Sequence, residues 1–110
     1  MKPSPQPFLA EALDRLWAQF LPQLEERVGI LEAAGAALSA RELTIGEREQ
    51  ANSAAHKLAG VLGTFGLTKG TILAREAEIL YSAEPDLDPE TPARLAAIAA
   101  QLRAIVSTRK

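Results

Sequence analysis

The chain contains one histidine, His56, in a segment whose apolar residues recur at helical spacing. Ala55 and Leu58 fall on the apolar side of this predicted helix, and His56 is rotated toward solvent. Gly60 and Gly63 follow one and two turns later on the histidine's side. Each interior glycine destabilises a helix by about 1 kcal/mol relative to alanine, so two on one exposed stripe indicate a use for bare main chain. An unhindered imidazole there suits in-line attack by a ring nitrogen on a group held by another molecule.

Small and polar residues surround this histidine on the predicted helix. We interpret them as the surface that a partner approaches. They are Asn52, Ser53, Ala59, Gly60 and Gly63. A neighbouring apolar patch is predicted to extend this surface, and it consists of Leu31, Ala34, Val61 and Thr64.

Composition excludes several other kinds of chemistry. The absence of cysteine excludes disulfides, a thiol nucleophile and thiolate metal sites, and one histidine is too few for an ordinary zinc site, so we predict no metal. The net charge of −2, with scattered basic residues, argues against nucleic acid as the main partner. No apolar run reaches the ~18 residues of a membrane span, and the first residues lack a signal-peptide core. We therefore expect a cytoplasmic protein without membrane contact.

Hydrophobic periodicity predicts an all-α chain. Residues 1–7 hold three prolines and are predicted to be a flexible lead-in to one helical domain over residues 8–110. Pro22 is interpreted as ending a short first helix and opening a second, with a single kinked helix as the alternative. Thr44 and Glu47 have capping-box spacing, so a helix should begin near residue 45 and end at Gly66. A loop is predicted at residues 84–89.

Four helices of about 17 to 22 residues with short connections pack most simply as an antiparallel up-down four-helix bundle. The additional short N-terminal helix would cover one end. The predicted core positions are Leu9, Leu13, Leu16 and Phe20 in the first segment; Leu21, Leu24, Val28, Leu31, Gly35 and Leu38 in the next; Ala51, Ala55, Leu58, Leu62 and Phe65 around the histidine; Ile72, Leu73, Ala77 and Leu80; and Leu95, Ile98, Leu102 and Ile105.

The sequence around the histidine resembles the histidine-containing phosphotransfer (HPt) family. The family's pattern is a histidine followed two residues later by leucine or isoleucine, three later by a basic residue and four later by glycine. The corresponding residues are His56, Leu58, Ala59 and Gly60. Residues 63–67, Gly-Thr-Phe-Gly-Leu, are similar to the phosphotransfer domain of chemotaxis-type kinases. The resemblance covers about residues 51–81.

This resemblance implies a phosphoryl carrier of two-component signalling rather than an enzyme in the ordinary sense. His56 would exchange a phosphoryl group with the aspartate of a response-regulator receiver domain or with a histidine kinase. The resemblance implies no cofactor on the carrier itself, because Mg²⁺ is held by the receiver domain. It also favours a monomer.

Two helices that are antiparallel about a turn near residue 67 would bring His56 and Glu78 to one level, because both are equally distant from that turn. A carboxylate accepting from Nδ1–H would leave Nε2 free to attack, and the family carries a glutamate in this role. Arg75 lies one turn before Glu78. It is expected either to pair with that carboxylate or to approach the phosphoryl group.

One position departs from the family pattern, since Ala59 stands where a lysine is usual. Lys57 is the available substitute, although it lies roughly 100° around the helix from the histidine. It either reaches the phosphoryl oxygens or lines the edge of the site.

Two functions other than a phosphoryl carrier remain open. One is an interaction module that docks on a receiver or kinase without being phosphorylated. The other is a structural bundle in which another helix covers the histidine.

Overall fold

The computed structural model describes residues 6–82 and 88–109. This described part is all-helical, with no strand, and its elements are α1 (Gln6–Ser39), α2 (Ile45–Thr64), α3 (Thr68–Ser82) and α4 (Glu90–Thr108). Because α1 begins at Gln6, it includes the last two residues of the predicted lead-in, while residues 1–5 lie outside the described residues. Residues 84–87 of the predicted loop, together with residue 83, also lie outside them.

α1 is a single helix of 34 residues that continues through Pro22. The separate short N-terminal helix was therefore a wrong prediction, and the alternative of one helix holds. A proline inside a helix costs about 3 kcal/mol, because it removes one hydrogen bond and crowds the preceding turn. On both sides of Pro22 the helix buries one continuous face, and each large buried side chain contributes about 1.5–3 kcal/mol. The large buried side chains of this face are Trp17, Leu24, Val28 and Leu31.

The core lies between all four helices, and most of the predicted core positions are buried or packed against it. Three of the predicted core residues are exposed instead, namely Leu9, Leu16 and Ile72. In α1 it is Trp17 that is buried in place of its neighbour Leu16. The core face of α1 is therefore rotated by one residue from the predicted stripe in this region.

The ends of α2 follow from local signals. The Thr44 hydroxyl accepts a hydrogen bond from the Glu47 amide at 3.1 Å, and the Glu47 carboxylate accepts one from the Thr44 amide at 2.9 Å. This capping box confirms the predicted beginning of the helix. After Thr64 the chain turns at Gly66, whose φ of 72° lies in the left-handed region that favours glycine.

α2 and α3 pack side by side and run in opposite directions. Gly63 near the end of α2 lies against Thr71 near the beginning of α3, whereas Asn52 contacts Glu78 close to the end of α3. The buried Gly70 lets the two helices come close, since a Cβ there would lie 2.9 Å from a methyl group of Leu62. This close pair of helices carries the site described below.

α4 is attached to its neighbours by ion pairs on the bundle surface. Arg94 binds both carboxylate oxygens of Glu76 on α3, at 2.6 and 2.5 Å, and Arg103 binds both of Glu32 on α1, at 3.1 and 2.7 Å. Hydrogen bonding to these guanidinium groups lowers the pKa of Glu76 and Glu32.

Within the described residues, no helix combines the length and the apolar sequence that a transmembrane helix requires.

Candidate functional site

His56 projects from the middle of α2 and pairs with Glu78 of α3. Its Nδ1 lies 2.8 Å from Oε2 of Glu78, while the histidine side chain is 66% exposed and the glutamate side chain 26%. An ionised carboxylate can only accept a hydrogen bond, so this contact assigns the proton to Nδ1. In the neutral imidazole, Nε2 then keeps its lone pair. The arrangement presents a nucleophilic nitrogen on an exposed ring whose other nitrogen is held.

Asn52, one turn before His56 on α2, also contacts Glu78. Its side-chain amide donates to the main-chain carbonyl of Glu78 at 2.7 Å. Asn52 is half-buried and binds across the contact between the two helices. Sequence reasoning had placed it on the partner surface, and no pattern within α2 signals its bond to a residue 26 positions away.

The surface beside the imidazole is formed by Ser53, Gly60 and Gly63, all of which are exposed. A Cβ added to Gly60 would meet nothing within 4 Å, and one added to Gly63 would make only an ordinary contact, at 3.5 Å, with the Thr71 hydroxyl. Packing within the described residues therefore requires neither glycine. The bare main chain next to the histidine has no explanation in the packing of the bundle.

Ala59 does not belong to this surface, because it is only 1% exposed and is part of the core. Its side chain lies on the flank of α2 that the bundle covers, although it follows the exposed His56 by only three residues. The predicted apolar patch is corrected in the same way, since Leu31 and Ala34 are 2% and 5% exposed. Of that patch, Val61 is half-buried and Thr64 is exposed.

The two basic residues predicted to support the site are both exposed. Lys57 lies on α2 beside the histidine, and Arg75 lies on α3 one turn before Glu78. No ion pair joins Arg75 to Glu78 within the described chain, where that carboxylate pairs with His56. The structure thus brings His56, Glu78 and Asn52 together and leaves both cations at the margin.

Other features of this region were not anticipated. Ile72 and Ile79 lie two turns apart on the solvent side of α3, with Arg75 between them, and are 61% and 67% exposed.

Across residues 6–82 and 88–109, no group of three or more histidine, aspartate or glutamate side chains is arranged to hold a metal ion.

Comparison with known proteins places these helices in a family. The model of the Hpt domain matches residues 15–107, which include most of α1 and all of α2 and α3. Protein RcaC of Microchaete diplosiphon is 39% identical over 87 residues, which amount to 79% of this chain and 13% of RcaC. No solved structure matches the chain significantly. The resemblance seen around His56 is thereby confirmed, and the chain belongs to the Hpt domain family.

Proposed function

We propose that this protein is a histidine phosphotransfer domain that carries a phosphoryl group on Nε2 of His56. The observation that carries the proposal is the 2.8 Å contact from Nδ1 to the Glu78 carboxylate on a ring that is 66% exposed. This contact fixes the tautomer of the imidazole, and the exposure of the ring lets a partner reach Nε2. Membership of the Hpt domain family supports the same reading of this histidine.

The proposed donor is the phosphorylated aspartate of a response-regulator receiver domain, or a histidine kinase. The Nε2 lone pair attacks phosphorus, a P–N bond forms, and the bond from phosphorus to the donor atom breaks with its electron pair leaving on the donor. Nδ1 keeps its proton throughout, and Glu78 stabilises the positive charge that develops on the ring. Transfer onward is the reverse step with a second receiver aspartate. In this proposal the chain binds no cofactor, and the Mg²⁺ that the reaction uses belongs to the receiver domain.

The proposed approach surface is the exposed strip of Ser53, Gly60 and Gly63 beside the imidazole. Its support is the open space above Gly60, where even an added Cβ would touch nothing within 4 Å. A receiver carries its aspartate in a recessed acidic pocket, so the imidazole must reach past the receiver's rim. Bare main chain one turn beyond the histidine lets that rim come close.

We propose that the domain acts as a monomer and that its helices are antiparallel. The opposed directions of α2 and α3 support the antiparallel order.

Lys57 is proposed to offset the charge of the phosphoryl oxygens at this surface. Support comes from its exposure next to His56 and from the burial of Ala59, where the family usually has a lysine. Arg75 is proposed to face the partner from α3, the second of the two roles expected for it, because the Glu78 carboxylate pairs with the histidine. Both cations then complement an acidic receiver pocket.

The test uses two donors, phosphoramidate as a small-molecule donor and a phosphorylated receiver as a protein donor. We expect both to add one phosphoryl group to the protein in an acid-labile, base-stable linkage. Since His56 is the chain's one histidine, a phosphohistidine identifies its own position. His56→Gln should abolish the label, and Lys69→Gln, at an exposed site on α3, should retain it. Labelling of His56→Gln, or no labelling of the parent protein by either donor, contradicts the proposal.

A second candidate is a docking module that binds a receiver or kinase without being phosphorylated. The observation that favours it is the apolar, buried Ala59 in place of the family's basic residue. This candidate expects a receiver to bind the protein equally well before and after His56→Gln, with no phosphoryl transfer to either. If the protein is a phosphoryl carrier, the phosphoryl group is transferred to the parent protein and not to His56→Gln.

A further inference from the structure

We propose that Asn52 is a positioning residue for phosphoryl transfer, acting on the imidazole of His56 through Glu78. This inference rests on the proposed function. Asn52 and His56 lie one turn apart on α2, and both contact the same residue of α3. Asn52 donates to the main-chain carbonyl of Glu78, while the carboxylate of Glu78 accepts from Nδ1 of His56.

The two bonds act at the two ends of the glutamate. A glutamate side chain has several rotatable bonds, so its carboxylate keeps one position only if its main chain is also held. Asn52 holds the main chain of Glu78 in place, because its Nδ2 donates a hydrogen bond to the Glu78 carbonyl oxygen at 2.7 Å. The carboxylate then needs only one side-chain conformation to reach Nδ1. Asn52 is half-buried, so water competes less for this bond than it would on an open surface.

The position of Glu78 near the end of α3 explains why such an anchor is needed. α3 ends at Ser82, one turn after Glu78. The last turn of a helix frays readily, because its carbonyl groups lack partners within the helix. The buried Tyr81 holds this turn to the core, and the bond from Asn52 adds a constraint on the main chain of Glu78 itself. Asn52 attaches the helix to α2 just before this last turn.

Losing the anchor should change the tautomer of the histidine. When the carboxylate moves away, Nδ1 loses its acceptor and the ring populates the tautomer with the proton on Nε2. That tautomer has no lone pair on the nitrogen that attacks phosphorus. A role confined to stabilising the bundle would leave the tautomer of the folded protein unchanged. The tautomer ratio therefore separates positioning from a structural role.

The experiment compares Asn52→Leu with Asn52→Gln. Leucine has nearly the shape of asparagine and favours a helix, but it cannot donate, whereas glutamine keeps the amide donor. Gln50→Leu, at an exposed position of the same helix, is the matched control. Because the chain has one histidine, its ¹⁵N NMR signals report the tautomer without overlap. Phosphorylation by phosphoramidate and thermal unfolding are measured on the same samples.

We expect Asn52→Leu to raise the Nε2–H fraction and to slow phosphorylation about fivefold, the effect of one hydrogen bond. Asn52→Gln should recover much of both, and Gln50→Leu should change neither. Unchanged tautomer and rate in a folded Asn52→Leu protein would overturn the proposal. If leucine prevents folding, Asn52→Ala takes its place with the same criteria. Should the parent protein accept no phosphoryl group, the proposed function fails, but the tautomer ratios still decide whether Asn52 positions the imidazole.

Discussion

Glu78 and His56 are 22 residues apart in the chain, yet their side chains lie 2.8 Å apart across the contact of α2 and α3. The glutamate is the more covered partner, at 26% exposure against 66%. The bond therefore holds the inner nitrogen of the ring and leaves the outer edge open. The reactivity we propose for the histidine depends on a second helix as well as on its own.

Replacing Glu78 by glutamine should slow phosphorylation. The glutamine amide can donate to Nδ1, which favours the tautomer with the proton on Nε2 and removes the attacking lone pair. We expect a rate about tenfold lower with phosphoramidate, measured from initial label incorporation. Glu26→Gln, at an exposed position of α1, serves as the control and should react like the parent protein. Equal rates for both variants would show that Glu78 has no part in activating the ring.

Gly60→Leu should block transfer from a receiver while leaving the fold and the histidine intact. A side chain there points into open space, so it meets a docked partner rather than the protein itself. Since glycine disfavours a helix, the variant should unfold at a temperature no lower than the parent. We expect at least about tenfold slower transfer from a phosphorylated receiver and an unchanged rate with phosphoramidate.

Gly46→Leu is the matched control for this steric test. Gly46 is also exposed on α2 with nothing within 4 Å, but it lies near the beginning of the helix, well before His56. Transfer from the receiver should be normal in this variant. If Gly60→Leu transfers as fast as Gly46→Leu, the partner does not pass over Gly60.

Lys57→Gln tests the proposed charge compensation. Removing a cation beside the phosphoryl group should lower the rate of transfer from a receiver about threefold at low ionic strength. The difference should shrink as salt is added, because exposed charges are screened. Lys69→Gln removes the same charge from α3 and should slow transfer less than Lys57→Gln does. Mass spectrometry of the phosphorylated protein over time measures both rates. A salt-independent loss would point to a steric rather than an electrostatic role for Lys57.

Tyr81→Phe should stabilise the protein, most of all at alkaline pH. Tyr81 is 2% exposed, and its hydroxyl has no hydrogen-bond partner among the described residues. Removing an unpaired buried hydroxyl should raise the free energy of unfolding by about 1 kcal/mol at neutral pH. Denaturant unfolding of both proteins measures this difference, and a less stable Tyr81→Phe variant would indicate a partner for the hydroxyl.

The same tyrosine gives a pH dependence with a defined sign. Burial raises the pKa of Tyr81 to about 12 from its ordinary value of 10.0. Between these two values the unfolded chain releases a proton that the folded protein keeps, so the free energy of unfolding falls as pH rises, by at most about 1.4 kcal/mol for each pH unit. Tyr81→Phe should remove this loss. If the stability difference between the two proteins stayed constant as pH rose through this range, the predicted dependence would be wrong.

The residue pattern alone is enough to predict the all-helical character of the chain, the beginning of α2, and the exposure of His56, Gly60 and Gly63. These features depend on signals within a few residues, such as the Thr44 capping box and the positive φ of Gly66. Counting from the turn near residue 67 also brought Glu78 opposite His56, because two helices joined by a short turn have a predictable register. Local hydrogen bonding and helix geometry suffice for inferences of this kind.

Contacts between helices explain the positions at which these local patterns fail. Ala59 is buried although it lies between His56 and Gly60, which are exposed, and Asn52 donates a hydrogen bond to α3. Pro22 remains inside α1 because the face buried on both sides of it outweighs the local cost of proline. In each case the outcome depends on where another helix lies, and the free energy of burying a side chain is set by that neighbour rather than by the residues adjacent in sequence.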